Sequence, residues 1–182
     1  MINIYKLKLT SLQQRILRLL FIKAGNSLNQ RNISKILNVT PPAVMKAIPG
    51  LEKENLVKLS QDKESKRWSI ELNRDNVKVM QFKRTDNLSQ IYESDLFKFL
   101  EIEFAGATII LFGSYSRGED IIGSDIDIAI IGRKDKKIDL KEYEKILERE
   151  ININFYPSLK EIHKNLKENI LNGIILAGGI EL

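Results

Sequence analysis

Apolar side chains recur at two different intervals along the chain, and the change of interval divides it into segments. Up to about residue 56 the apolar positions lie three or four residues apart, which is typical of amphipathic helices. This spacing predicts helices over residues 10–25, 29–38 and 43–56. Residues 56–72 instead alternate between apolar and polar side chains on both sides of a polar turn, which predicts a β-hairpin.

The ends of the first and third helices carry recognisable signals. Thr10 and Ser11 are each followed three residues later by Gln, the arrangement of a capping box. Thr40 precedes two prolines, which a helix tolerates in its first turn because the N–H groups there are unpaired. Pro49 falls inside the third helix and removes a hydrogen bond, so we expect this helix to be kinked or to end early.

Helices and strands alternate in the rest of the chain. Residues 76–104 have the spacing of one long or broken helix, which either pairs with a second copy of the chain or packs on the next domain. The predicted strands cover residues 108–112, a segment starting at Ser124, and residues 151–157. A helix is expected over residues 139–150. Another, over 158–176, is capped by Ser158, with a frayed tail after it and a core stripe of Leu159, Ile162, Leu166 and Ile170.

Composition excludes several classes of site. The chain of 182 residues is 43% hydrophobic and 29% charged, which is enough apolar material for a packed core. Cysteine is absent, so disulfides, thiolate metal sites and cysteine nucleophiles are excluded, and a single His makes a zinc site an unattractive prediction. No apolar run approaches the roughly 18 residues of a membrane span, and the N-terminus lacks the pattern of a signal peptide. We expect a cytoplasmic protein with no membrane partner.

Charge is distributed unevenly. Residues 1–85 contain 17 Lys and Arg against 6 Asp and Glu, a net charge of +11, whereas residues 86–182 contain 12 against 18, a net charge of −6. A basic front half joined to an acidic back half predicts different partners for the two halves.

Three short helices followed by a basic hairpin resemble the winged helix-turn-helix of bacterial and archaeal regulators, over about residues 10–73. The resemblance implies double-stranded DNA as partner and places the start of the third helix in the major groove. The residues that it points to there are Thr40, Val44 and Lys46, and the basic residues of the hairpin tip are Lys63, Lys66 and Arg67. The other interpretation is a protein-interaction or dimerisation module with a solvated lysine face; the net charge of +11 favours DNA.

The most specific motif of the chain is Gly113-Ser114, ten further residues, and then Asp125-Ile126-Asp127. The spacing resembles the signature of the DNA polymerase β-like nucleotidyltransferase superfamily. The compactness of the region, about residues 105–157, is similar to that of the minimal nucleotidyltransferases. Arg117-Gly118 and Ser124 also match.

The residue types of this motif suit nucleotide chemistry. Alternate residues of a strand point to the same side, so Asp125 and Asp127 project together and repel each other unless a cation joins them. Mg²⁺ bridging nucleotide phosphates would do so. Gly113 permits close backbone approach, and Ser114 can hold phosphate oxygens. The resemblance implies a nucleoside triphosphate, with ATP expected, bound through Gly113, Ser114 and Gly118, and it makes Asp125 and Asp127 the catalytic and metal-binding residues.

One position departs from the motif. The resemblance implies a third Asp on the next strand, and the residue that lines up with it is Asn152, with Asn154 on the same face. An amide lacks the charge and the basicity of a carboxylate, so nucleotide and metal binding survives the comparison better than catalysis does. Glu119, Asp120 and Glu150 are other carboxylates nearby, and the spacing selects none of them.

The sequence therefore predicts an α+β protein with an N-terminal winged helix-turn-helix (1–75), a connector helix (76–104) and a small α/β nucleotidyltransferase domain with a short mixed sheet (105–182). One hypothesis is a Mg²⁺-dependent enzyme that moves a nucleoside monophosphate to an acceptor such as a partner protein, as in antitoxin-type relatives of toxin–antitoxin pairs, with a helical partner. The alternative is a transcriptional regulator with a degenerate, nucleotide-sensing domain. The intact Asp125 and Asp127 favour the enzyme, and Asn152 favours the regulator.

Overall fold

A computed structural model describes residues 9–61, 63 and 67–180. The chain divides into two compact units, Met1–Val79 and Met80–Leu182. The predicted combination of a winged helix with a small mixed-sheet domain is confirmed. Most of the predicted connector falls in the second unit, and the division into three domains stays a prediction. None of the described helices is long and apolar enough to cross a lipid bilayer.

In its described residues, the first unit contains three helices and a three-stranded antiparallel sheet with the order β1-β3-β2. Its elements are α1 (Ser11–Ile22), β1 (Leu28–Asn29), α2 (Gln30–Leu37), α3 (Pro41–Lys53), β2 (Val57–Gln61) and β3 (Trp68–Leu72). The predicted capping box is confirmed, because the Gln13 N–H donates to the Thr10 hydroxyl at 3.3 Å and the Thr10 N–H donates to the Gln13 side chain at 2.9 Å. Thr40 caps α3 through the Ala43 N–H at 3.4 Å.

Two details of this unit differ from the prediction. Helix α3 continues through Pro49 to Lys53, so the expectation of an early end is wrong. Pro49 lies on the exposed side of the helix, where water can satisfy the carbonyl that loses its N–H partner. The two residues of β1, which pair with Ile70 and Ser69, were missed because two positions are too few to reveal alternation.

The second unit packs helices against a four-stranded mixed sheet with the order β6-β5-β4-β7. Strand β4 is antiparallel to β5 and β7, and β5 is parallel to β6. The strands are β4 (Thr108–Phe112), β5 (Ile126–Ile131), β6 (Ile151–Tyr156) and β7 (Ile174–Ala177). The helices are α4 (Val77–Glu93, whose first turn belongs to the first unit), α5 (Leu96–Glu103), α6 (Gly113–Arg117), α7 (Lys141–Leu147) and α8 (Lys164–Leu171).

The predicted connector helix is broken, because Asp95 has a φ of 60° and separates α4 from α5. Leu96 and Leu100 of α5 are buried in the same hydrophobic core as Ile109 of β4 and Ile128 of β5. A right-handed helix needs a negative φ at every residue, so the positive φ of Asp95 interrupts the helical path.

The C-terminal prediction is wrong in three respects. A short 3₁₀ turn at Leu159–Glu161 and α8 replace the single long helix, and Ser158 caps no long helix. Leu166, predicted as core, is exposed, and the apolar residues after α8 form strand β7. The tail is docked as far as Ile180, because the Thr108 hydroxyl donates to the Gly179 carbonyl at 2.7 Å. Residues 181–182 of the predicted tail lie outside the described residues.

Candidate functional site

Three segments that carry candidate residues meet at one edge of the mixed sheet. Asp127 lies opposite Phe112 of β4, the residue before Gly113, and opposite Asn152 of β6. Strand β5 begins at Ile126, two residues later than predicted, so Asp125 precedes the strand and Asp127 lies within it. The structure thus brings together the Gly-Ser turn, both carboxylates and Asn152.

Gly113 is where the carboxylate of Asp127 comes closest to the backbone. Its φ is +74°, and a Cβ added there would lie 2.4 Å from Oδ2 of Asp127. A Cβ at this position would force the Asp127 side chain to move, so both the backbone conformation and the neighbouring carboxylate favour glycine.

The pKa of Asp127 is raised by its surroundings. Burial raises the pKa of Asp127 above its ordinary value, and the negative charge of Asp125 raises it further, whereas hydrogen bonding by Asn152 acts in the opposite direction. Both side chains are half-buried, so they remain open to a ligand. A bound cation would remove the repulsion that raises this pKa.

Asn152 contacts the first carboxylate of the motif directly. Its Nδ2 donates a hydrogen bond to Oδ2 of Asp125 at 2.9 Å. The residue in the position of the expected third Asp is therefore a neutral donor to Asp125 rather than a third negative charge.

The donor set fits a cation that arrives with its nucleotide. Within the described part of the chain, no group of three or more His, Asp or Glu side chains is placed to hold a metal. Mg²⁺ in nucleotide sites is typically held by one or two carboxylates together with phosphate oxygens and water. Asp125 and Asp127 match that pattern, and they do not match an all-protein cage.

Ser114 lies at the start of α6, and Gly118 is the residue that follows its end. Ser114 is half-buried at the start of the helix, next to Gly113. Gly118 is buried, and its N–H is already bonded to the carbonyls of Ser114 and Tyr115. A Cβ on Gly118 would lie 2.6 Å from the Met80 carbonyl oxygen, so this glycine lets α6 pack against α4. Gly118 therefore has a packing role, and the nucleotide contact expected of it stays a prediction.

The alternative carboxylates are not equivalent. Asp120 has 1% of its side chain exposed and accepts hydrogen bonds from Asn87, Arg149 and Lys83, so it cannot reach an acceptor. Sequence reasoning missed this cluster, because its members lie far apart in the chain and follow no common motif.

A cavity of about 480 Å³ opens beside Asp125, and its lining includes Glu144, Glu148 and Glu150.

The predicted DNA-contact residues differ in exposure. Val44 is 0% exposed in the core of the first unit, so its side chain cannot enter a DNA groove and its predicted contact is wrong. Thr40, Lys46, Lys63 and Arg67 are exposed, whereas Lys66 lies outside the described residues. Thr40 also serves as the N-cap of α3, a structural use that the sequence had already indicated.

Comparison with known protein families agrees with the division of the chain into two units. Residues 93–177 match the profile of the "Nucleotidyltransferase domain" family, and residues 9–68 match that of the MarR family. Residues 9–68 are thus similar to the MarR family and residues 93–177 to nucleotidyltransferase domains, and each match covers less than half of the chain. No curated protein matches it.

Several solved structures are similar over part of the chain. A double mutant of ZitR from Lactococcus lactis is 28% identical over 53% of this chain and 62% of its own, with a TM-score of 0.39. AdcR from Streptococcus pyogenes is 24% identical over 57% and 72%, with a TM-score of 0.43. MepR from S. aureus, solved with DNA, is 23% identical over 52% and 81%, with a TM-score of 0.38. The chain thus spans about 62% of the length of ZitR.

Proposed function

We propose that this chain is a DNA-binding regulator whose nucleotidyltransferase domain binds a nucleoside triphosphate, with ATP as the expected ligand, together with Mg²⁺. The observation that carries the proposal is the packing of Asp127 against Gly113, with Asp125 beside it and its pKa effect on Asp127. A bound cation relieves the repulsion between two neighbouring carboxylates, as does protonation of one of them.

The reaction supported by this arrangement is transfer of a nucleoside monophosphate. The oxygen of an acceptor hydroxyl forms a bond to the α-phosphorus and its proton passes to water, while the bond from the α-phosphorus to the oxygen that bridges to the β-phosphate breaks and pyrophosphate leaves. Mg²⁺, when bound, supplies charge neutralisation on the phosphate oxygens. Asp125 and Asp127 would hold the cation, and the hydroxyl of Ser114, at the start of α6, would donate a hydrogen bond to a phosphate oxygen.

The acceptor that we propose is a side chain of a partner protein, as the resemblance to antitoxin-type minimal nucleotidyltransferases suggests. The cavity of about 480 Å³ beside Asp125 supports an acceptor approach from that side. A helical partner would supply both the acceptor and the surface around it.

Nucleotide sensing without transfer is a second candidate, and Asn152 favours it. The resemblance implies a carboxylate at this position to take the proton of the acceptor, and Asn152 has an amide there that donates to Asp125 instead. An amide cannot take this proton at neutral pH, so nucleotide binding would then change DNA binding rather than lead to transfer.

DNA binding rests on the first unit. Its exposed Lys46, Lys63 and Arg67 belong to a half of the chain with a net charge of +11, as counted over residues 1–85. MepR, one of the similar proteins, was solved with DNA. We further propose that the chain binds DNA as a homodimer, since half-sites on duplex DNA are commonly read by two-fold dimers.

Calorimetric titration with ATP, with and without Mg²⁺, tests the nucleotide site. Combining Asp125→Asn with Asp127→Asn should weaken Mg²⁺-dependent binding by about 10-fold or more, the scale typical of losing groups that hold a metal. Asp135→Asn, an exposed acid of the same unit, is the matched control and should bind as the parent does. Equal affinity in the double variant and the parent would remove the metal site from the proposal.

Transfer from α-³²P-labelled ATP separates the two candidates. If Asn152 limits catalysis, Asn152→Asp should raise transfer, since a general base typically contributes about 10²–10⁴-fold. Strong transfer by the parent that Asn152→Ala leaves unchanged would identify an enzyme that uses another base. Intact ATP binding without transfer in either protein would favour the nucleotide sensor.

A further inference from the structure

A cluster of charged side chains is buried in the second unit. Lys83 of α4 is 0% exposed, Asp120 after α6 is 1% exposed, and the side chain of Arg149 before β6 is 2% exposed. Lys83 pairs with Oδ1 of Asp120, to which Nδ2 of Asn87 also donates at 2.7 Å. Arg149 Nη2 lies 3.4 Å from the other oxygen, Oδ2.

The stability of the core does not explain why these charges are buried. Burial lowers the pKa of Lys83, and the charge of Asp120 and its hydrogen bond act against this shift without cancelling it. Replacing buried ion pairs by apolar side chains of similar volume is often neutral or stabilising in other proteins. An apolar cluster at this position would therefore serve the fold at least as well.

The cluster is tied to α6, which carries the Gly-Ser turn. Nδ2 of Asn87 also donates to the Tyr115 carbonyl at 2.9 Å. The Glu119 N–H donates to the Ser114 carbonyl at 3.0 Å, so the residue before Asp120 is bonded directly to the residue after Gly113.

The buried cluster is also linked to the segments that carry Asp125 and Asn152. Residues 121–124 form a closed turn between Asp120 and Asp125, in which the Ile121 N–H donates to the Ser124 hydroxyl and the Ser124 N–H donates to the Ile121 carbonyl, both at 3.0 Å. Arg149 stands three residues before Asn152 in the same segment. Asp120 thus links all three segments that carry candidate site residues.

We propose that Asp120 is a positioning residue: with Lys83, Asn87 and Arg149 it fixes the distances among Ser114, Asp125 and Asn152, and so the geometry in which the nucleotide is held. It touches no ligand itself. The inference rests on the proposed nucleotide binding, and it assigns to these charges a role that a purely structural core would not need.

An apolar replacement of the cluster in the full-length chain separates positioning from stability. The triple variant Lys83→Met, Asp120→Leu, Arg149→Met should keep or raise the melting temperature. Its Mg²⁺-dependent affinity for ATP should nevertheless fall by about 10–100-fold, the range typical of losing residues that orient ligand groups. Leu100→Ala, a cavity variant on α5, is the matched control: it should lower the melting temperature and leave the affinity unchanged. Unchanged ATP affinity in a folded triple variant would overturn the proposal.

A milder variant and a second readout make the test independent of nucleotide binding. In Asp120→Asn, studied well below its melting temperature and without nucleotide, the side-chain amide resonances of Asn152 should shift and exchange faster as its bond to Asp125 loosens. Unchanged Asn152 resonances would contradict the positioning role. If the parent fails to bind ATP, the proposed function fails, and these resonances still decide the role of Asp120. Unfolding of both variants would also contradict it, since the cluster would then be a stability element.

Discussion

At the scale of single residues, Gly113 is the position where the candidate site constrains the sequence most. We expect Gly113→Ala to cost about 1–2 kcal/mol for the left-handed backbone alone. It should cost more in total, because the added methyl would displace the Asp127 carboxylate. Gly123→Ala is the matched control, since its φ is +84° and nothing lies within 4 Å of the added Cβ. Denaturant unfolding of both variants measures the difference, and equal losses of stability would contradict the close approach.

Asp127 leads to a pH-dependent prediction at the same scale. Its pKa is raised in the folded protein, so its ionised form destabilises the fold. This destabilisation is fully present above the raised pKa and disappears as the pH falls to the unfolded value of about 3.9. Asp127→Asn should therefore raise the melting temperature at neutral pH and lose this advantage below about pH 4. An advantage independent of pH, measured by thermal unfolding between pH 3 and 8, would show that the charge is not its cause.

Residue types and spacing were enough to predict Asp125, Asp127, Gly113 and Asn152 as a group, because the strand period of two and the motif spacing are local properties. They do not decide the role of Gly118, since a glycine that contacts phosphate and one that contacts a helix backbone look alike in a sequence. The helix that Gly118 contacts begins more than 35 residues earlier in the chain.

At the scale of elements, the packing of α6 on α4 holds the Gly-Ser turn in place. Gly118→Ala would place a Cβ 2.6 Å from the Met80 carbonyl oxygen and 2.7 Å from the Arg84 nitrogen. Backbone atoms cannot move aside as a flexible side chain can. We expect a loss of about 2–4 kcal/mol, from left-handed strain and overpacking together. Gly123→Ala, with similar φ and open space, should lose only the strain. Similar losses in the two variants, measured by urea unfolding, would argue against this packing.

Elements were predictable where their signals were local, and they were missed where tertiary contacts decide. Thr10 and Thr40 fixed the starts of α1 and α3, since capping needs only neighbouring residues. Strand β7 was read as the end of a helix, because four apolar residues fit either period and only pairing with β4 selects the strand. Burial is also decided by tertiary contacts. The periodicity of α3 predicts a helix, but it does not show that the face carrying Val44 packs in the core.

At the scale of the whole molecule, charge separates the two halves of the chain more clearly than hydrophobicity does. Residues 1–85 carry a net charge of +11 and residues 86–182 one of −6, so DNA should be attracted to the first half and repelled by the second. The distribution of charge along the chain does not show which buried charges pair. Lys83 and Asp120 are 37 positions apart, and no local pattern could have predicted that they pair.

The charge asymmetry predicts how the full-length protein responds to salt. Each phosphate contact by a cation should contribute about −0.9 to the slope of log affinity against log salt on duplex DNA. Lys46→Ala, Lys63→Ala and Arg67→Ala should each make the slope shallower by up to about 0.9 and weaken binding to all sequences alike, because phosphate contacts carry no base information. Lys134→Ala, an exposed lysine of the acidic half, is the matched control and should leave the slope unchanged. Fluorescence anisotropy with labelled duplexes at several salt concentrations measures both quantities. A slope that responds to Lys134 and not to Lys46 would place the DNA contacts outside the winged helix, since counterion release follows the cations that touch the phosphates.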